Sequence, residues 1–206
     1  MPIIAVVGNK GGAGKTTLSV NLAAGISRNH SIAMIDADPQ GSSLQWRAIA
    51  GDNVSFPVYA PTFSLKEQAK SYTKNNEYVL IDCPPSLGLL TINALVAADQ
   101  VLVPVQAEFL GLRGLALFWQ TMQQVEPLNP HLRLLGILPT MTRRTRHHAE
   151  ILETMSKIKA YVFEPIPLSV KASEAHAVGR AVSTLDGDNA VAKAYASLAR
   201  EVERLW

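Results

Sequence analysis

Residues Ile3 to Thr17 read IIAVVGNKGGAGKTT, and the fold follows from their order. The run Ile3-Ile4-Ala5-Val6-Val7 is continuously apolar, as a strand buried on both faces must be. A glycine-dense turn (Gly8, Gly11, Gly12, Gly14) comes next, then Lys15, Thr16 and Thr17. Strand, turn and helix start in this order build a polyphosphate site. Glycines let successive backbone N–H groups face one concave surface at the positive end of a helix. Lys15 would reach the outer phosphates, and the Thr16 hydroxyl would join an Mg²⁺ shell. The pattern G-x-x-x-x-G-K-[ST] is met except at its first position, where Asn9 stands.

Moving outward, Leu18, Leu22, Ala23 and Ile26 recur at helical spacing, which predicts a helix over about 15–29. Residues 30–36 carry a short apolar strand that stops at Asp36-Ala37-Asp38-Pro39-Gln40-Gly41-Ser42, where Pro39 forbids immediate helix continuation. In a parallel sheet the loops beyond the strand carboxyl ends form the ligand crevice, so this loop belongs beside the glycine turn. Asp38 has two compatible readings there: a site carboxylate, or the N-cap of a following helix over Ser42–Ala50. Trp46 in that helix reads as a core anchor. Tyr78-Val79-Leu80-Ile81-Asp82 is a second buried strand ending in an acid, the Walker B arrangement, with Asp82 set to hold a Mg²⁺-bound water. Cys83 reads as its small buried neighbour.

Weaker patterns predict a strand over 54–59 and a surface helix over 64–73. Helices over 89–98 and 110–125 then alternate with strands over 100–105 and 132–138, and a last strand is expected over 161–166. Strands alternating with helices of these lengths imply right-handed crossovers. The expected fold is α/β, a doubly wound, mostly parallel sheet with helices on both faces, in one domain over 1–206.

Composition narrows the function classes. The 206 residues suffice for one substantial core, and 48% hydrophobic with 17% charged residues is a globular balance. A formal net charge of +2 decides neither for nor against an anionic partner. Cys83 is the single cysteine. That excludes a disulfide framework and any intrachain cysteine pair for a metallocluster, and it fits a reducing cytosol. Met1-Pro2 leads straight into the first strand, so no signal peptide is expected. The richest apolar stretch, 87–105, is broken by Asn93, Asp99 and Pro104, so no transmembrane helix is expected.

The run Lys10-Gly11-Gly12-Ala13-Gly14-Lys15-Thr16-Thr17 resembles the deviant P-loop, KGGxGK[ST]T, of the ParA/MinD family of ATPases. The resemblance covers nearly the whole chain through three motifs in order. It implies ATP and Mg²⁺ as cofactors, held by Lys10 to Thr17, with Thr16, Asp38 and Asp82 around the metal. It gives Lys10, Lys15, Asp38 and Asp82 the catalytic roles, Lys10 acting across a homodimer interface on the partner's nucleotide. Residues 84–88 resemble the switch II loop that reports the γ-phosphate, and Pro167 matches a proline that contacts adenine. Arg143, Arg144 and Arg146, in the densest basic cluster, could meet adenine, a partner protein or DNA phosphates; Lys171 is the counterpart of a DNA-binding basic residue. Leu168 and Ser169 stand where longer relatives carry an arginine before the valine.

Length, the missing N-terminal helix-turn-helix and the segment DPQGSSLQW (38–46) look most like the short ParA class that includes plasmid ParF proteins. Such proteins form an ATP-dependent dimer, bind DNA without reading sequence, and move a cargo over the nucleoid. Slow hydrolysis is stimulated by a ParB-like or cargo-adaptor protein, and the expected location is cytoplasmic and nucleoid-associated. The alternative is a MinD-like membrane-cycling ATPase. It would use the terminal helix over 189–206, whose stripe Val191, Tyr195, Leu198, Val202 and Leu205 also suits core packing.

Overall fold

Apolar runs without alternation bury both faces of each strand, and that requires helices above and below the sheet. The computed structural model, which describes residues 1–205, has six strands: β1 (Ile3–Val6), β2 (Ile32–Asp36), β3 (Val58–Tyr59), β4 (Tyr78–Asp82), β5 (Gln100–Gln106) and β6 (Arg133–Thr140). All pair in parallel, in the order β3-β2-β4-β1-β5-β6. The helices are α1 (Lys15–Ile26), α2 (Ser42–Ala50), α3 (Leu65–Tyr72), α4 (Leu89–Ala97), α5 (Phe109–Val125), α6 (Arg146–Ser156), α7 (Val170–Ala177), α8 (Val182–Leu185) and α9 (Ala190–Leu205). Trp206, included in the expected terminal helix, lies outside the described residues.

Alternate residues of β1 serve opposite layers. Ile4 and Val6 pack with Leu18 and Leu22 of α1, Trp46 of α2, and Tyr195 and Val202 of α9. Ile3 and Ala5 pack with Leu65 of α3, Leu95 of α4, Phe118 of α5 and Met155 of α6. Trp46 is a core anchor, 1% exposed and stacked on Phe56 with ring centroids 6.0 Å apart.

The chain leaves β1 toward β2 on one side and returns through β4 to place β5 on the other. The strand order therefore reverses about β1, and a crevice opens at the strand carboxyl ends there. Register brings three ends level: Val6 pairs with Asp82, and Asp82 with Asp36.

Two expected strands are curtailed by proline. The strand over 54–59 shrinks to Val58–Tyr59, because Pro57 has no N–H and contributes only its carbonyl, to the Met34 N–H at 3.0 Å. The strand over 161–166 is reduced to isolated bridges, Ile137 with Val162 and Thr142 with Pro167. Phe163 N–H donates to Ile137 O at 2.9 Å and Ile166 N–H to Pro139 O at 2.9 Å, but Pro165 and Pro167 cannot continue the ladder. The segment after it, for which no element was expected, forms α7 and α8. The first helix ends at Ile26 rather than near 29, closing with turns that include Asn29 N–H to Ile26 O at 3.1 Å.

Candidate functional site

The loop between β1 and α1 is held open from below and from the side. Gly12 and Gly14 lie in the left-handed region, at φ 76° and 85°, where a side chain would strain the turn. Gly14 is also the N-cap of α1 and offers no capping side chain. The first amides of the helix consequently face the hollow without a side-chain acceptor. Thr140 at the end of β6 donates its hydroxyl to Ala13 O at 3.1 Å, and Gln106 at the end of β5 donates to Gly12 O at 3.4 Å. Neighbouring strand ends thus fix the loop's outer wall.

Lys15 is 7% exposed, and its ammonium donates to the Lys10 carbonyl at 3.2 Å. Burial lowers its pKa, against the opposing pull of Asp82 and Asp38. A buried ammonium beside helix-start amides that have no side-chain cap among the described residues is a donor set that fits a phosphate anion. The hollow, about 270 Å³, is walled by Gly11, Gly12 and Gly14 to Thr17 on one side and by Asp38, Ser42 and Pro85 on the other.

The carboxylates divide the work differently from the two readings offered for Asp38. Asp36, fully buried, accepts the N–H groups of Ser43 at 2.9 Å and Leu44 at 3.0 Å, and so it caps α2. Among the described residues the Asp38 carboxylate accepts only the Gln40 N–H, at 3.0 Å, and Asp38 lines the hollow. The carboxylate that accepts the first amides of α2 is therefore that of Asp36, from the sheet, while the N-cap position itself is Gly41, which leaves Asp38 free of that duty. Asp82 is fully buried and accepts hydroxyls from Ser43 at 2.6 Å and Ser19 at 3.1 Å. Desolvation pushes its carboxyl up to about 6, and those hydroxyls work against the rise. Cys83 is buried beside it, and burial raises the thiol pKa well above its usual value.

Pro167 lines a smaller, mainly apolar hollow of about 80 Å³ shared with Gly14, Thr17 and Met141. Met141 stands between the two hollows at φ 55°, the one non-glycine with positive φ among the described residues. Sequence reading missed it, since a methionine carries no left-handed signal. Ser19 and Ser43 were missed as well: only the three-dimensional return of α1 and α2 to Asp82 reveals them.

The basic candidates sit apart from this centre. Arg143 and Arg144 are exposed in the loop after β6, and Arg146 opens α6, paired with Glu150 at 3.1 Å. Lys171, in the first turn of α7, pairs with Glu174 at 2.9 Å. The Thr142–Pro167 bridge brings the two segments alongside one another. Lys10 reaches neither the hollow nor the basic segments: its ammonium donates to Gln106 Oε1 at 2.6 Å and Glu108 Oε2 at 3.1 Å.

A parallel α/β sheet with a glycine loop after β1 and two acids at adjoining strand ends is a P-loop nucleotide-binding fold. The model of the CobQ/CobB/MinD/ParA nucleotide binding domain matches residues 4–182, and the chain belongs to that family. The chromosome partitioning protein ParA of Myxococcus xanthus is 33% identical over 97% of this chain and 87% of its own length. The sporulation initiation inhibitor protein Soj of Bacillus subtilis is 34% identical, covering 97% of each chain. Cobyrinic acid a,c-diamide synthase from Mycobacterium smegmatis, solved with a bound ATP analogue and magnesium, is 28% identical, with a TM-score of 0.80 over 100% of this chain and 95% of that one.

Proposed function

We propose that the chain is a ParA-type ATPase that dimerises with ATP, binds DNA without sequence preference and positions a cargo over the nucleoid. The observation that carries this is the convergence of the buried Lys15 ammonium and Asp38 on one glycine-walled hollow, with the charge of the fully buried Asp82 close enough to act on that ammonium. Mg²⁺-ATP supplies the cleavable phosphoanhydride there, together with the metal's neutralisation of phosphate charge. Lys15 and the loop amides from Gly11 to Thr17 hold the phosphates. Thr16 and Asp82 hold the metal, Asp38 orients water near it, and Pro167 flanks the adenine. Lys10 acts on the nucleotide of a second copy.

The DNA reading is supported by where the cations lie. Arg146 and Lys171 lie in the first turns of helices, on segments that the Thr142–Pro167 bridge sets side by side. Among the described residues each side chain is engaged only by a surface ion pair within its own helix, with Glu150 and Glu174, of a kind that contributes little to stability. With Arg143 and Arg144 they form a cationic face whose affinity would fall steeply with salt. An adaptor of the ParB kind would stimulate hydrolysis and select the cargo. Membrane cycling is the weaker reading. Val191, Tyr195, Leu198 and Val202 of α9 are all buried in the core, and only Leu205 of the stripe is exposed, at 39%. Among the described residues, no helix is long and apolar enough to cross a membrane.

The test is retention on nonspecific DNA with ATP, with ADP and without nucleotide. Wild type should be retained with ATP alone and Lys10→Ala should not, while Lys15→Ala should lose nucleotide binding itself. Equal retention of wild type under all three conditions would overturn the reading.

A further inference from the structure

We propose that Ser43 is a positioning residue for hydrolysis: its hydroxyl and its amide tie the Asp82 carboxylate to that of Asp36, fixing the Asp38 loop relative to the metal-holding acid. The proposal rests on the ATPase reading above. Ser43 is the second residue of α2 and is fully buried. Its hydroxyl donates to Asp82 Oδ2 at 2.6 Å, within the short range of charge-assisted O–H···O⁻ bonds. Its own N–H donates to Asp36 Oδ2 at 2.9 Å, and the Leu44 N–H to the same oxygen at 3.0 Å. The other Asp36 oxygen accepts the Asp38 N–H at 3.2 Å.

One residue thus joins two strand-end acids that are already register partners, and the second acid holds the start of the Asp38 loop. Gly41, the N-cap of α2, contributes no side chain, so this end of the helix is anchored by Asp36 from the sheet. The other Asp82 oxygen accepts the Ser19 hydroxyl at 3.1 Å, from α1. Asp82 is consequently oriented from both helices that flank the hollow. Satisfying a buried carboxylate needs hydroxyls of some kind. It does not need the same residue to hold the neighbouring acid, and that double attachment is what sets a spacing. In phosphoryl transfer catalysis is largely positioning, so a loosened spacing should be read in turnover rather than in nucleotide affinity.

The experiment compares wild type with Ser43→Ala and with Ser43→Thr, which keeps the hydroxyl. In nucleotide-free protein, amide hydrogen exchange at Asp38, Ser43 and Leu44 should quicken about tenfold in Ser43→Ala, as for one lost hydrogen bond to a charged group. With Mg²⁺-ATP, kcat should fall about tenfold or more while KM stays within about twofold, and Ser43→Thr should restore both exchange and kcat. Unchanged exchange at the three amides in Ser43→Ala overturns the tie, whatever turnover does. Quickened exchange with wild-type kcat overturns the positioning role. If the added methyl of Ser43→Thr is not accommodated, Ser43→Ala decides alone. Wild type that hydrolyses no ATP would sink the proposed function instead, and the nucleotide-free exchange would still judge the tie.

Discussion

Burying a carboxylate is costly unless hydrogen bonds or a counter-ion offset the lost solvation, and Asp36 and Asp82 are two such acids side by side. Burial raises the pKa of both, and that of Asp82 reaches about 6 against an ordinary 3.8. The folded protein therefore holds this proton more tightly than the unfolded chain does. The associated stability is fully present below about pH 4 and is lost as pH rises through about 6. At pH 7.5 the ionised Asp82 is a liability that bound metal would relieve, and the desolvated Lys15 is its cationic counterpart. Asp82→Asn removes the charge while keeping the shape. In nucleotide-free protein at pH 7.5 this variant should melt about 2–6 °C above wild type, and the difference should close toward pH 4. Its ATP hydrolysis should be lost, a site exchanging stability for function. A melting point below wild type at pH 7.5 would contradict the account.

The packing of α9 on α1 depends on one missing side chain. A Cβ on Gly25 would lie 2.5 Å from the Ala199 Cβ, so the helices approach more closely than two alanines permit. Gly25→Val should destabilise the fold by about 1–3 kcal/mol, read as a lower urea midpoint with an unchanged slope. Loss of nucleotide binding in protein that remains folded would argue instead for a direct link from α9 to the glycine loop. Elements of this kind were legible where the sequence carries a strong physical constraint. Continuous apolar runs gave β1, β2 and β4, and the glycines with Lys15 located the site. The 161–166 segment misled because its apolar character said strand while Pro165 and Pro167 removed the donors that a ladder needs. Helices α7 and α8 are short, and half of their residues are alanine, serine or threonine, so no apolar stripe announces them. The sequence also showed two acids at the end of β2 without showing which would take the first amides of α2, since that depends on how far the chain turns after the strand.

At the scale of the whole molecule, the arrangement of Lys10 sets a condition on assembly. Its ammonium is held within its own chain by Gln106 and Glu108, at 2.6 and 3.1 Å, yet the proposed dimer needs it on the partner's nucleotide. Closing the dimer must break this contact in both copies. The Lys10–Glu108 ion pair is partly exposed, with side chains 39% and 52% accessible, and pairs of this kind contribute about 0.2–1 kcal/mol each. Glu108 is also the N-cap of α5 but makes no side-chain cap bond, so Glu108→Gln should leave that helix intact. The variant should consequently dimerise with a non-hydrolysable ATP analogue at about twofold to tenfold lower protein concentration than wild type, as measured by sedimentation. Because salt screens such a pair, the gap between the two proteins should narrow as ionic strength rises. An unchanged midpoint would mean that the contact does not restrain Lys10. A higher midpoint would mean that Glu108 is needed in the closed dimer, where it would have to face the partner rather than its own lysine.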